Sequence, residues 1–354
     1  MKNKISDFSK NLLFWSKTYN TRTMPWKGEK DPYKIWLSEI ILQQTRVEQG
    51  MSYYLKFINA YPTVDKLAKA KEDEIFKMWE GLGYYSRCRN LIATAKNISE
   101  NYAGLFPKEY DHLLKLKGVG PYTAAAISSF AYDLPFAVVD GNVFRILARH
   151  FGINTPIDSF VGKILFNKLA QDLLNKKQPS AYNQAIMDFG ATICKPKLPL
   201  CDTCIFNKTC LAFKNNKVNI LPVKETKLVK KQRYFYYLVV KFDNKFYIRK
   251  RTEKDIWQNL WEFILVEMPE KIEIEKFIKT KSFAQKVNKT AAVKNYSPFY
   301  KQQLTHQTIE GCFILINLQS PLLNNDFELV KSSNLKNLAF PRFITSYFEK
   351  NPTF

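Results

Sequence analysis

The chain has 354 residues, with 54 Lys and Arg against 32 Asp and Glu, a formal net charge of +22. That length suits two or three domains with cores of their own, and 46% hydrophobic with 15% aromatic residues excludes a disordered or fibrous chain. No apolar run approaches the roughly 18 residues of a membrane span, and "MKNKISDFSKNLLFW" is too charged for a signal peptide, so a cytoplasmic protein with a polyanionic partner is expected, nucleic acid first and an acidic membrane surface second.

From residue 1 to about 214 the pattern is helical. "PYKIWLSEIILQQT", "VDKLAKAKEDEIFKMWE", "YDHLLKLK", "PYTAAAISSFA", "GNVFRILARHF" and "YNQAIMDFGATIC" carry apolar residues three and four apart, punctuated by Gly and Pro. Next comes the densest positive stretch: residues 201–250 hold 12 basic and three acidic side chains, among them Lys208, Lys224, Lys227, Lys230, Lys231 and Arg233. It reads as a solvated linker or as a strap beside a phosphate backbone. Beyond it, "RYFYYLVVKFDNKFYIRKR" alternates aromatic and β-branched residues round Asp243-Asn244 and predicts a β-hairpin. "LWEFILVEM" and "GCFILINLQ" predict strands, "EIEKFIKTKSFAQKV" and "PRFITSYFEK" short helices. The division is therefore 1–214 as a helical unit, 215–230 as a basic linker and 231–354 as an α+β unit.

Four of six cysteines, Cys194, Cys201, Cys204 and Cys210, fall within "CKPKLPLCDTCIFNKTC" as C-x6-C-x2-C-x5-C. Without a secretory signal, such density argues for a metal site rather than disulfides. Thiolates suit zinc or an iron–sulfur cluster. Zinc sites favour two short pairs, whereas gaps of six, two and five favour one [4Fe–4S] cluster. Four protein ligands leave no open position, so its role reads as structural. Cys88 and Cys312 read as ordinary buried thiols.

Gly118-Val119-Gly120 separates two helical patterns, and Pro121 suits the first position of the second. Bare N–H groups there form an anion site fit for a DNA phosphate, although many helical hairpins use glycine with no ligand. Asp140, in "VVDGNVFRIL", reads first as an N-cap, and a carboxylate there also tends to stay ionised. Glu39 follows Ile35 by four residues and Trp36 by three, on their apolar face, where its pKa should rise. Alone it reads as a salt-bridged helix residue. With Asp140 it matches the acid-plus-stabiliser division used to break glycosidic bonds.

The hairpin "LKGVGPYTAAAI", then "VVDGNVFRIL", then the four-cysteine loop resembles the helix-hairpin-helix DNA glycosylase superfamily with an iron–sulfur cluster. "PWK", "WLSEIILQQTRV", "WEGLGYYSRCRNL" and "NQAIMDFGATIC" narrow the resemblance to the MutY-type adenine glycosylases, and "DIWQNLWEFILVEM" to their C-terminal Nudix-like domain. The glutamate-rich Nudix hydrolase motif is not found, so that domain should read a base rather than hydrolyse a nucleotide. The resemblance implies a monomer acting on double-stranded DNA that carries adenine opposite 8-oxoguanine, with no membrane partner. It implies that Glu39 protonates adenine at N7, that Asp140 stabilises the cation at the sugar with Tyr122 beside it, and that Asn142 orients these groups. Arg22, Trp26, Lys27 and Gln184 would line the pocket for the flipped base. Gln44 and Tyr84 would fill the gap in the duplex, Leu304, Thr305 and His306 of "QQLTH" would inspect the lesion, and Gly118 and Gly120 would hold a phosphate.

Lys27 stands where arginine is common, Lys117 where proline is frequent and Leu304 where an aromatic residue is frequent. Each bears on efficiency or discrimination rather than on the reaction. An endonuclease III-type lyase carries a lysine just after the hairpin, and Tyr122 holds that place here. A phenol cannot form the Schiff base a lyase needs. A DNA-binding module without catalysis is the third reading, opposed by Glu39 and Asp140 in their motifs.

Overall fold

The structure is a computed structural model, and it describes residues 2–225, 229–288, 291–322 and 326–351. Lys227 of the basic stretch lies outside the described residues. In chain order the elements begin with helices α1 Lys2–Thr18, α2 Pro32–Leu42, α3 Val47–Ala60, α4 Val64–Lys69, α5 Glu72–Trp79, α6 Tyr85–Asn101 and α7 Tyr110–Leu114. There follow α8 Pro121–Tyr132, α9 Gly141–Phe151, α10 Phe160–Leu173, α11 Pro179–Thr192 and α12 Leu211–Lys214. The remainder is β1 Lys231–Phe242, β2 Lys245–Lys250, β3 Trp261–Met268, α13 Ile274–Phe277, α14 Lys281–Ala284, β4 Ala292–Tyr296, β5 Tyr300–Gln303, β6 Gln307–Asn317, β7 Glu328–Lys331, α15 Ser332–Leu335 and α16 Arg342–Lys350.

The chain divides into two compact units, Met1–Lys69 with Arg89–Lys227, and Ala70–Cys88 with Leu228–Phe354. This differs from the expected division at 215–230, which left 70–88 in the helical unit. The reason is tertiary. Glu80 Oε1 accepts from the Phe340 N–H at 2.8 Å, Lys77 Nζ donates to the Leu338 carbonyl at 3.0 Å, and Lys250 pairs with Asp73. "VDKLAKAKEDEIFKMWE" also breaks into α4 and α5, because Glu72, Asp73 and Glu74 favour a fresh helix N-terminus.

In the first unit α1, α9, α10 and α11 bury one core through Leu12, Trp15, Ile146, Leu147, Phe166, Tyr182 and Phe189. Asp31 caps α2 by accepting from the Tyr33 N–H at 2.9 Å, with Pro32 at its first position. In the second unit the sheet order is β4-β6-β1-β3-β2-β7, with β5 also on β6, and β1 and β6 run parallel. β1 and β6 are buried on both faces, which is why they read as nearly continuous apolar runs. Tyr236, Leu238, Val240, Cys312 and Ile314 pack on Phe277 and Phe283. Their alternates Tyr237 and Phe313 stack against each other at 5.4 Å, and Phe313 stacks on Tyr347 of α16 at 4.1 Å. The Asp243-Asn244 turn has positive φ at both residues, matching the expected hairpin. Arg233 is no part of a free basic strap: it is buried at the start of this sheet, bidentate to both Asp255 and Glu267.

Candidate active site

Three helix starts converge on a cleft of about 760 Å³ in the first unit. Its wall includes Glu39 of α2, Tyr122 of α8, Asp140 and Asn142 at the start of α9, and the residues Arg22, Trp26, Lys27 and Gln184. All eight side chains expected to act on the base or to hold it therefore share one cavity.

Glu39 is 7% exposed and sits with Ile35 and Trp36, as its helical phase requires. Burial pushes its carboxyl up to about 7, a hydrogen bond with the Tyr122 hydroxyl draws it back, and the Asp140 charge adds to the rise. Tyr122 is raised well above the phenol range by the same burial and by those two carboxylates. Asp140 is the N-cap of α9. Its Oδ1 accepts from the Asn142 and Val143 N–H groups at 2.8 Å each, and its Oδ2 from Asn142 Nδ2 at 2.6 Å. The cap only partly offsets the effect of burial on Asp140. Withdrawal from water outweighs these bonds, and its pKa lies above the ordinary value.

Two residues that the sequence did not single out organise the cleft. Asp188 is fully buried and accepts from Asn20 Nδ2 at 2.8 Å, Arg22 Nη1 at 2.9 Å and Gln184 Nε2 at 3.1 Å, with Lys27 Nζ at 3.0 Å. One carboxylate thus aims three of the expected base-holding side chains. Its signal was its place four residues after Gln184 on the same helix. Arg145 donates from Nη2 to Asn142 Oδ1 and to the Gly190 carbonyl, both at 2.7 Å, and from Nε to the Cys194 carbonyl at 2.7 Å. It ties the Asp140–Asn142 pair to the start of the cysteine loop.

The four cysteines of that loop line one small cavity of about 30 Å³ with Arg149. Burial, with the neighbouring thiols adding, pushes Cys204 up to about 12, and Cys201 and Cys210 are raised as well. Held as thiolates, four such groups in that space would need a cationic body between them. Among the described residues no three Cys, His, Asp or Glu side chains form a group that could hold a single metal ion.

In the hairpin, Gly118 has φ +79°, and a Cβ there would stand 2.7 Å from the Asn90 Cβ. Gly120 is the N-cap of α8 with open space at its Cβ position. The remaining expected contacts lie outside the cleft. Gln44 is exposed at φ +55° just after α2. Leu304, Thr305 and His306 form the tight turn between β5 and β6, closed by the Leu304 N–H to the Gln307 carbonyl at 2.7 Å. Tyr84 belongs to the second unit, where its hydroxyl contacts the Thr305 hydroxyl.

Residues 37–165 match the HhH-GPD superfamily of base excision DNA repair proteins, and residues 235–350 match the NUDIX domain. An adenine DNA glycosylase from Buchnera aphidicola subsp. Baizongia pistaciae is 35% identical over 323 residues, covering 90% of this chain and 89% of that one. The chain belongs to the MutY-type adenine DNA glycosylases. As a member of this family it is an N-glycosyl hydrolase that binds DNA and removes adenine in base excision repair. Among solved structures, a thermostable thymine-DNA glycosylase is 30% identical with a TM-score of 0.56, covering 60% of this chain and 98% of that one. A non-covalent endonuclease III–DNA complex, 21% identical with a TM-score of 0.53, shares the helical fold over 61% of this chain and 98% of its own.

Proposed function

We propose that this glycosylase removes adenine paired with 8-oxoguanine, or with guanine, as a cytoplasmic monomer, by acid-assisted hydrolysis of the flipped nucleotide. One juxtaposition carries the reading: a carboxyl raised to about 7, a phenol bonded to it and a capped carboxylate line one cleft with Arg22, Lys27 and Gln184. Glu39 retains its proton near neutral pH and delivers it to N7 of adenine, which makes the base a better leaving group. Asp140 stabilises the oxocarbenium-like sugar that develops, Asn142 fixes its orientation, and water completes hydrolysis. Tyr122 holds the Glu39 carboxyl in place. It offers no amine for a Schiff base, so the strand stays intact. The exposed N–H groups at Gly118 and Gly120 serve a backbone phosphate, and Gln44, Tyr84 and the Leu304–His306 turn serve the lesion opposite.

Cys194, Cys201, Cys204 and Cys210 would hold a [4Fe–4S] cluster. What supports a cluster over a single zinc is the C-x6-C-x2-C-x5-C spacing, together with the four cysteines lining one cavity. With four protein ligands the cluster supplies structural closure of the loop and no reacting group. The purified protein is therefore expected to be brown, and a colourless preparation with bound zinc would overturn this assignment.

The deciding experiment is incubation with a duplex holding adenine opposite 8-oxoguanine. Cleavage that appears only after alkali supports a monofunctional enzyme, and cleavage without alkali contradicts it. Glu39→Gln is expected to bind the mismatch and release no adenine in a single turnover. Near-normal release would remove Glu39 from the role of acid.

A further inference from the structure

Arg87 has no role in the chemistry described above, yet it is 6% exposed. Its guanidinium carbon lies 5.2 Å from the centre of the Trp79 ring and 5.5 Å from that of Tyr84, so the cation is flanked by two aromatic rings. Its Nη2 donates to the Gly83 carbonyl at 3.2 Å, and that same carbonyl accepts from Trp79 Nε1 at 3.0 Å. The Arg87 N–H closes the turn onto the Tyr84 carbonyl at 2.8 Å. Gly81 and Gly83 take φ +90° and +80° at no steric cost, whereas Tyr84, at φ +48°, is strained. A non-glycine residue in the left-handed region costs about 1 kcal/mol or more and persists only where its surroundings hold it. Tyr84 is 39% exposed, and its hydroxyl contacts that of Thr305 in the β5–β6 turn. Trp79, by contrast, is fully buried.

We propose that Arg87 is a positioning residue that clamps the exposed Tyr84 ring to the buried Trp79 ring, and so presents Tyr84 and Thr305 together to the base opposite adenine. The planar guanidinium can lie against both rings and bond the turn carbonyl at once. A lysine keeps the charge and loses the plane and the fork. The functional half of this inference rests on the reading that Tyr84 meets the lesion. The structural half, that Arg87 fixes the Tyr84 ring, does not.

The test uses the full-length protein, the duplex with adenine opposite 8-oxoguanine and the duplex with adenine opposite guanine. The protein is labelled with 3-fluorotyrosine, and the Tyr84 fluorine resonance is assigned by its loss in Tyr84→Phe. Arg87→Lys is expected to shift or broaden that resonance in the free protein while melting remains cooperative. The ratio of single-turnover rates on the two duplexes should fall on the order of tenfold. Tyr84→Ala should lower the ratio as much, and the double variant should lower it no further, because both changes disable one wedge. An unmoved resonance in Arg87→Lys overturns the clamp, and so do losses that multiply in the double variant. Should Tyr84→Ala leave the ratio unaltered, the lesion reading of Tyr84 fails, and the fluorine resonance then decides the clamp by itself.

Discussion

Glu39 shows how one buried group sets both activity and stability. Its carboxyl in the fold titrates at about 7 against an ordinary 4.5. Between those pH values the unfolded chain gives up a proton that the fold keeps, so stability falls from about pH 4.5 to 7 and is flat above. The loss is on the order of 3 kcal/mol. Glu39→Gln should therefore melt higher than the parent at pH 8 and equally at pH 4, and parallel melting curves across that range would refute the burial effect. The rate has the same sign: base release should decline above pH 7 as the acid loses its proton. On the acid side it should decline as Asp140, whose pKa burial raises, gains one, giving a bell-shaped profile of single-turnover rates. Asp188 acts differently, as a fully buried counter-charge to Arg22 and Lys27. Asp188→Asn should cost about 3 kcal/mol in denaturant unfolding and slow base release at least tenfold, because two cations lose the carboxylate that aims them. Lys27 Nζ also donates to the Arg22 carbonyl at 2.7 Å, so its point charge is fixed by two contacts.

Among the elements, the approach of α9 to α11 decides whether the catalytic pair is placed. A Cβ on Gly190 would stand 2.5 Å from the Asn142 Cβ, and Arg145 spans the same contact from Asn142 to the Gly190 carbonyl. Gly190→Ala should force the helices apart, destabilise by about 1–3 kcal/mol and lower base release with little effect on mismatch binding. Normal rates in a cooperatively folded Gly190→Ala protein would show that α9 can move without harm. The fold was legible where one element carries its own signal. The "DPYKIWL" cap, the Asp243-Asn244 hairpin and the "PYTAAAIS" helix start all stand where the sequence places them, because cap, turn and Pro chemistry is local. The break between α4 and α5 and the transfer of 70–88 to the second unit were not legible, since contacts such as Glu80 to Phe340 join residues 260 positions apart.

For the whole molecule the charge of +22 sets affinity for the polyanion rather than choice of base. Lys117, Lys197 and Lys208 are exposed, and Arg233, counted in the same basic stretch, is consumed by internal carboxylates. Changing Lys117 or Lys197 to Ala should weaken binding to matched and mismatched duplexes alike and reduce the slope of log K against log salt by about 0.9 each, whereas Arg233→Ala should instead unfold the second unit. An unaltered slope in the lysine variants would place the DNA elsewhere. By itself the sequence determined the helical unit followed by the α+β unit, the four-cysteine loop and the residue types of the cleft, because periodicity, caps and ligand spacing are properties of neighbouring residues. Only the tertiary structure decided that Glu39, Tyr122 and Asp140 face one another, that Asp188 gathers Arg22, Lys27 and Gln184 beside them while Arg145 fixes Asn142, and that Tyr84 belongs with Thr305. Burial, which raises the Glu39 carboxyl, is created by segments far apart in the chain and has no local signature.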